Sequence, residues 1–342
     1  MGTSVARGTI EGPRAPLSAK DREERARELR RLLEASVERS PCETILLSGG
    51  LDTSVVAEVA RPRGLRTAVT VLVGDHPPDE EHALRVAERL QFEHRVVRTD
   101  LEGLLTEVPL VVRVMRTFDP MEVRNSIVVA RALRAARESG WTSAFTGDAA
   151  DELLGGYSFL WQRSEEEFDR ACRRMARVMR FSSFPLGKEL GVRVVAPFMD
   201  PSIVDLALGL PRDLKVGRVG ADLHGKLLLR EAFPEVPNRW RRKDPIEVGS
   251  GSTALPEHFR SSTPSSELER EQHRILRDEG IEVRDAEHLA YYRVFREVFP
   301  KGPPVPRHGA DPCPKCGYEL PSRESDFCIT CGAWPARSPT SR

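Results

Sequence analysis

Apolar positions along the chain switch between a period near two and a period near 3.6, and the alternation predicts a layered α/β protein. Residues 1–17 show no apolar period and are rich in Gly, Pro, Ser and Thr, which reads as a disordered N-terminus. Ser18 opens a charged helix, with Asp21 three residues on as a capping signal and Leu29, Leu32 and Leu33 on one face. After Pro41 the apolar run ETILL ends at Ser48-Gly49-Gly50, the pattern of a buried strand feeding a tight turn. SVVAEVA follows as helix and TAVTVLV as strand. A helix from about Asp79 then places Ala83, Val86, Ala87 and Leu90 at i, i+3, i+4 and i+7. HRVVRT supplies another strand, 101–116 and 124–138 read as helical, and TSAFT (142–146) reads as a strand. Strands alternating with helices imply a parallel sheet covered on both faces. Ligands of such sheets bind outside the carboxyl ends of the strands, where both Ser48 and Gly147 fall.

From about 160 to 300 the pattern is mostly helical, and Phe168, Ala171, Cys172, Met175 and Val178 form a core stripe. FPKGPPVPRHGADP (299–312) reads as a semi-rigid linker. The domain reading is a disordered N-terminus at 1–17, a main domain at 18–300, a linker at 301–311, a cysteine module at 312–334 and a loose tail at 335–342.

Composition adds limits. The chain has 342 residues, enough for about two domains. Lys+Arg 52 balance Asp+Glu 52, so no net charge pulls the chain toward nucleic acid or anionic membrane. No run of about 18 apolar residues occurs, and MGTSVARGTIEGPRAPLSAK lacks the apolar core of a secretory signal, so a soluble, cytoplasmic chain is expected. Of six cysteines, Cys42 and Cys172 are scattered and four stand as the pairs Cys313/Cys316 and Cys328/Cys331. That spacing fits two knuckles of a zinc ribbon, with four thiolates around tetrahedral Zn²⁺ and a glycine after each second cysteine. With all four positions filled by protein the role is structural, and zinc supplies much of so small a module's folding energy.

Two loops carry the chemistry. In Ser48-Gly49-Gly50-Leu51-Asp52-Thr53-Ser54 the glycines let backbone approach a phosphate, the hydroxyls of Ser48, Thr53 and Ser54 can donate to it, and the next helix aims amide N–H groups at it. Asp52 would repel a phosphate unless a divalent cation lies between them, which suits Mg²⁺. The second loop, Thr146-Gly147-Asp148-Ala149-Ala150-Asp151-Glu152, gathers three carboxylates at a strand's carboxyl end, where a cation would relieve their repulsion. Together the loops describe a site for Mg²⁺ and a polyphosphate. Gly220-Ala-Asp-Leu-His-Gly225-Lys226-Leu227 nearly spells a Walker A loop but lacks the Ser/Thr for Mg²⁺, so its spacing reads as accident.

At these residues the chain resembles a known family. SGGLDTS is similar to the pyrophosphate loop of N-type ATP pyrophosphatases, and TGDAADELLGGY resembles the corresponding segment of asparagine synthetases. APFMDPSIVDLALGLP (196–211), HGKLLLREAF (224–233), RWRRKDPIEVGSGS (239–252) and AYYRVFREVFP (290–300) resemble further family segments in the same order. The resemblance, over roughly residues 25–300, implies an adenine nucleotide α-hydrolase-like fold that adenylates a carboxylate with ATP, releases pyrophosphate and passes the acyl group to an amine. It implies that Ser48, Gly49, Gly50, Thr53 and Ser54 hold pyrophosphate and that Asp52 and Asp151 bind Mg²⁺. It places Leu47, Val71, Thr146 and Gly147 around adenosine and turns Lys226 and Lys243 to the phosphates. Arg124 becomes a candidate for the substrate carboxylate, and Arg230 a further candidate.

Residue 2 is Gly where such synthetases carry a glutaminase cysteine, and about 40 residues precede the loop, so a glutaminase domain is not expected. Free ammonia, a separate glutaminase subunit or another amine stay open, as does a homodimer. Asp148 stands where the family has Glu; if that carboxylate deprotonates the amine, the shorter side chain bears on which amine is used. The leading expectation is an ATP-dependent ligase converting aspartate and ammonia to asparagine. The alternatives are an adenylating ligase or cyclase with other substrates and an RNA-modifying ATP pyrophosphatase.

Overall fold

β-Branched and aliphatic runs too short for helices build the centre of the protein. In the computed structural model, which describes residues 18–302, 307–309, 311–322 and 325–337, they form β1 (Thr44–Leu46), β2 (Thr67–Val73), β3 (Glu93–Thr99), β4 (Ser143–Phe145) and β5 (Arg193–Val195). All neighbours pair in parallel, in the order β3-β2-β1-β4-β5. Side chains alternate across the sheet and so feed two cores. Val69, Val71, Val73 and Ala144 face a core built from helices Val108–Met115, Pro120–Glu138, Ser183–Leu190 and Ala286–Val298. Ile45, Ala68 and Phe145 face the other, made with helices Ala19–Arg39, Leu51–Ala60 and Asp79–Arg89. The parallel α/β arrangement read from periodicity is thus the observed one.

From β1 the chain runs outward to β2 and β3, then crosses back to β4 and β5 on the far side. The switch therefore falls between β1 and β4, where the loops after these strands leave a crevice. A Cβ on Gly147 would lie 2.8 Å from Asp52 Cβ, so the two loops touch.

The first helix starts as its residues require: the Asp21 amide donates to Ser18 Oγ at 3.1 Å in a capping box. Three features depart from the sequence reading. β5, at three residues, lies inside the stretch read as helical. Val216–Val219 (β6) and Asp222–Gly225 (β7) form an antiparallel hairpin in the same stretch. Gly220 (φ +63°) is its turn, so the Walker-like spacing lies on a hairpin and not on a phosphate loop. Residues 335–337, expected in a loose tail, are held: Ala336 is buried, its amide donates to the Asp326 carbonyl at 2.6 Å, and Arg337 pairs with Asp311. Residues 1–17 and 338–342 lie outside the described residues, as do 303–306 and 310 of the expected linker. Among the described residues no helix is long and apolar enough to cross a membrane.

Candidate active site

The loop after β1 enters helix Leu51–Ala60 through Gly50, an N-cap with no side-chain bond, which leaves first-turn N–H groups open to an anion. Ser48 Oγ lies 3.2 Å from Thr53 Oγ1 and accepts from the Gly50 amide at 3.2 Å. Ser54 differs from expectation: its buried hydroxyl donates to the Gly50 carbonyl at 2.6 Å, so it braces the turn. Gly49 has φ +68°, and a Cβ there would stand 2.3 Å from Ala83 N. Its need for glycine comes from this approach to helix Asp79–Arg89, a protein neighbour where the sequence reading invoked a ligand.

Four charges interlock where this loop meets the loop after β4. Lys226 Nζ lies 2.5 Å from Asp52 Oδ2 and 2.7 Å from Asp151 Oδ1, and Lys243 Nζ lies 2.8 Å from the same Asp151 oxygen. Asp52 comes from the first helical turn after β1 and Asp151 from helix Ala150–Leu154 after β4. Lys226 follows β7 in a left-handed conformation (φ +55°), fixed by its amide donating to the Leu154 carbonyl at 3.1 Å. Burial alone would lower the Lys226 pKa, but Asp151 and Asp52 outweigh it and hold the ammonium above its ordinary value. Burial acts upward on both carboxylates. It prevails at Asp52, which shares one lysine, and is overcome at Asp151, which has two. Gly156 makes the cluster possible, because a Cβ there would sit 1.7 Å from Asp151 Oδ1.

Asp52 Oδ1 is a buried acceptor without a hydrogen-bond partner among the described residues, and it belongs to a hard oxygen ligand. This fits a divalent cation such as Mg²⁺ at Asp52 and Asp151, both already drawn to positive charge. Leu47 and Thr146, just past the ends of β1 and β4, are buried, as is Val71 within β2, whose side chain belongs to the first core; Gly147 lies at the loop contact. Asp148 Oδ2 accepts from Ser183 Oγ at 2.6 Å and Thr146 Oγ1 at 2.8 Å, and burial nevertheless raises its pKa.

The two arginines are engaged elsewhere. Arg124 makes a bidentate pair with buried Glu287 at 2.6 and 3.0 Å, so a substrate carboxylate would have to share it. Arg230 donates to the carbonyls of Gly225 (2.9 Å) and Arg239, which tie the hairpin to the segment carrying Lys243.

That segment contains residues the sequence reading missed. Buried Asn238 donates to the carbonyls of Gly49 (3.1 Å) and His82 (2.9 Å), and Arg241 pairs with Asp79 at 2.8 Å. Burial outweighs Arg241 and lifts the Asp79 pKa to about 6. Lys243 is further placed by Tyr157, whose ring centroid lies 4.0 Å from its ammonium and whose hydroxyl donates to Glu152 at 2.6 Å. Arg241 and Tyr157 lay within segments marked only by resemblance (239–252 and 146–157), and Asn238 stands one residue before the first of these.

Later in the sequence, Cys313, Cys316, Cys328 and Cys331 are buried with all four sulfurs within 4.8 Å of one another. Sγ–Sγ distances of 3.8 Å (Cys313–Cys331) and 3.7 Å (Cys316–Cys328) match a tetrahedron with metal–sulfur bonds of about 2.3 Å, whose edge is about 3.8 Å. The donor set fits Zn²⁺.

Residues 28–186 match the sequence model of the family described as Asparagine synthase. The chain is 25% identical over 294 residues to a probable glutamine-hydrolyzing asparagine synthetase of Dictyostelium discoideum, covering 75% of this chain and 51% of that protein. It is 30% identical over 225 residues to the glutamine-hydrolyzing asparagine synthetase of Bos taurus, covering 60% and 39%. The chain thus spans about half the length, or less, of these relatives. Among solved structures, an NMN synthetase from Francisella tularensis aligns with 66% of this chain and 97% of its own, at 18% identity and a TM-score of 0.28. The matched stretch, residues 28–186, holds both loops of the site.

Proposed function

We propose that the chain is an ATP-dependent amide ligase that adenylates a carboxylate and transfers the acyl group to an amine, with aspartate and ammonia as substrates and asparagine as product. The observation that carries this reading is that Lys226 bridges Asp52 of the Ser48–Ser54 loop to Asp151 of the loop after β4, which Lys243 also meets, at the switch between β1 and β4.

The cluster suits nucleotidyl transfer. The hydroxyls of Ser48 and Thr53 and the first-turn N–H groups after Gly50 would take the oxygens of the β- and γ-phosphates. Mg²⁺, held by Asp52 and Asp151, would neutralise phosphate charge. With two carboxylates against two ammoniums the cluster is neutral alone; on nucleotide binding the lysines would exchange carboxylate oxygens for phosphate oxygens. A carboxylate oxygen attacks the α-phosphorus, the bond to the β-phosphate oxygen breaks, and pyrophosphate leaves with its negative charge facing Lys226 and Lys243. Cations so placed are worth roughly 10²–10³ in rate each. The amine nitrogen then attacks the acyl carbon, AMP departs with the original carboxylate oxygen, and the amine's surplus proton passes to a base, for which Asp148 is the candidate. A second reading keeps the adenylation and changes the amine; it is favoured by Asp148, the shorter carboxylate tethered by Ser183 and Thr146.

The test incubates the chain with Mg-ATP, aspartate and ammonium and follows AMP, pyrophosphate and asparagine together. Aspartate-dependent formation of all three, lost in Asp52→Asn, supports the reading. Pyrophosphate without asparagine supports the second one, and no carboxylate-dependent turnover sinks both.

A further inference from the structure

The second cysteine pair does not stand apart from the main domain. Thr330, between Cys328 and Cys331, offers its carbonyl to the Phe118 amide at 2.8 Å and to Thr117 Oγ1 at 3.2 Å. Gly332 packs on the carboxylate of Asp119 so closely that a Cβ would stand 2.0 Å from Oδ1. Arg284 donates to the Gly332 carbonyl at 2.9 Å and lies 3.7 Å from Asp119. Thr117, Phe118, Asp119 and Thr330 are all buried, so this is an internal joint.

What the joint holds is the start of a helix. Asp119 caps helix Pro120–Glu138, accepting from the amides of Met121 and Glu122 at 3.4 Å each. These bonds are long, and the Thr117 hydroxyl adds a brace by accepting from the Asp119 amide at 3.0 Å. The helix precedes β4 and runs back against the strands, so its N-terminus lies at the same end of the sheet as the phosphate loop. One turn in stands Arg124, paired with Glu287. On the other side of the joint, the Phe118 ring stacks on His288 at 5.1 Å, next in sequence to Glu287. Both partners of the Arg124–Glu287 pair therefore hang from elements that the cysteine knuckle touches.

We infer that the metal-bound ribbon is a positioning element of the carboxylate-substrate side of the site. Its Thr330–Gly332 backbone clamps Thr117–Asp119 and thereby sets Arg124 and Glu287. The inference deepens the function proposed above, on which it rests, and adds to it that the substrate carboxylate shares Arg124 with Glu287.

Gly332→Ala and Arg284→Gln in the full chain test it, the second being a half-exposed side chain that leaves the backbone unstrained. Each is measured for zinc content, for amide hydrogen exchange, and for the KM values of aspartate and ATP separately. The expected result is zinc retained at one per chain, exchange at Phe118, Met121 and Glu122 at least about tenfold faster with β2 unchanged, and the aspartate KM up about tenfold at constant ATP KM. Unchanged exchange at those amides in both variants, loss of zinc from both, or parallel rises of the two KM values would each overturn the inference. If the wild-type chain shows no carboxylate-dependent turnover, the functional reading and the Arg124 role fall together, while the exchange arm still decides whether the ribbon clamps the helix start.

Discussion

Replacing Lys226 with Met removes one positive charge from between two carboxylates and little else. Methionine fills a similar volume and meets the same left-handed backbone at φ +55°, so the comparison isolates the ammonium. At 2.5 and 2.7 Å, and with an effective dielectric constant near 20, each ion pair is worth about 6 kcal/mol. Much of that offsets the cost of burying the ammonium, and breaking such a pair from one side typically destabilises by about 3–5 kcal/mol. The loss depends on pH. In the wild type the lysines hold the Asp151 pKa below its ordinary value, which contributes stability above the unfolded pKa and loses it as pH falls. Without Lys226, burial and mutual repulsion push Asp52 and Asp151 up, so the folded variant binds protons more tightly than the unfolded chain and gains stability as pH falls. Urea denaturation should therefore show a gap of about 3–5 kcal/mol at pH 7 that narrows toward pH 4–5. Pyrophosphate release at pH 7, corrected for folded fraction, should fall roughly 10²–10³-fold. A gap that does not change with pH, or activity within threefold of wild type, would refute the view of Lys226 as the charge shared by the two loops.

Two further substitutions probe the surroundings. Gly49→Ala must force a left-handed residue and a Cβ against the backbone of helix Asp79–Arg89, and should cost at least about 2 kcal/mol in denaturation while weakening Mg-ATP binding measured by calorimetry. For Asp79 the folded pKa of about 6 lies above the ordinary 3.8, so ionising it costs stability, which declines as pH rises from about 4 to 6 by up to roughly 3 kcal/mol. Asp79→Asn should flatten that part of the stability–pH curve, and an unaltered curve would contradict the assignment.

Much of the fold was legible because its signals are local. The Ser18/Asp21 box, the 3.6 period of Ala83–Leu90 and the β-branched run of β2 each declare themselves within a dozen residues. β5 did not, since Arg193–Val195 is too short for a period and owes its strand geometry to pairing with Ser143–Phe145. The hairpin β6–β7 was hidden for a similar reason, its register being set across a turn inside a stretch read as helical. In the site, Asp52, Asp151, Lys226 and Lys243 could be picked out by chemistry and resemblance, yet the meeting of both lysines at one Asp151 oxygen, and of Lys226 with Asp52, is tertiary. Asn238 and Arg241 escaped because they act on main-chain carbonyls and on Asp79, and no spacing rule marks such partners. The tail Pro335–Arg337 read as loose because polarity says nothing of an ion pair to Asp311, 26 residues away.

The proposed function stands on one step, attack of a carboxylate oxygen on the α-phosphorus of ATP at the Ser48–Asp52 loop. Aspartate labelled with ¹⁸O in its side-chain carboxylate, turned over with Mg-ATP and ammonium, tests it most directly when the nucleotide product is weighed by mass spectrometry. The expected product is AMP carrying one ¹⁸O atom, formed in step with asparagine. AMP whose new oxygen comes from water, or ADP in its place, would contradict it.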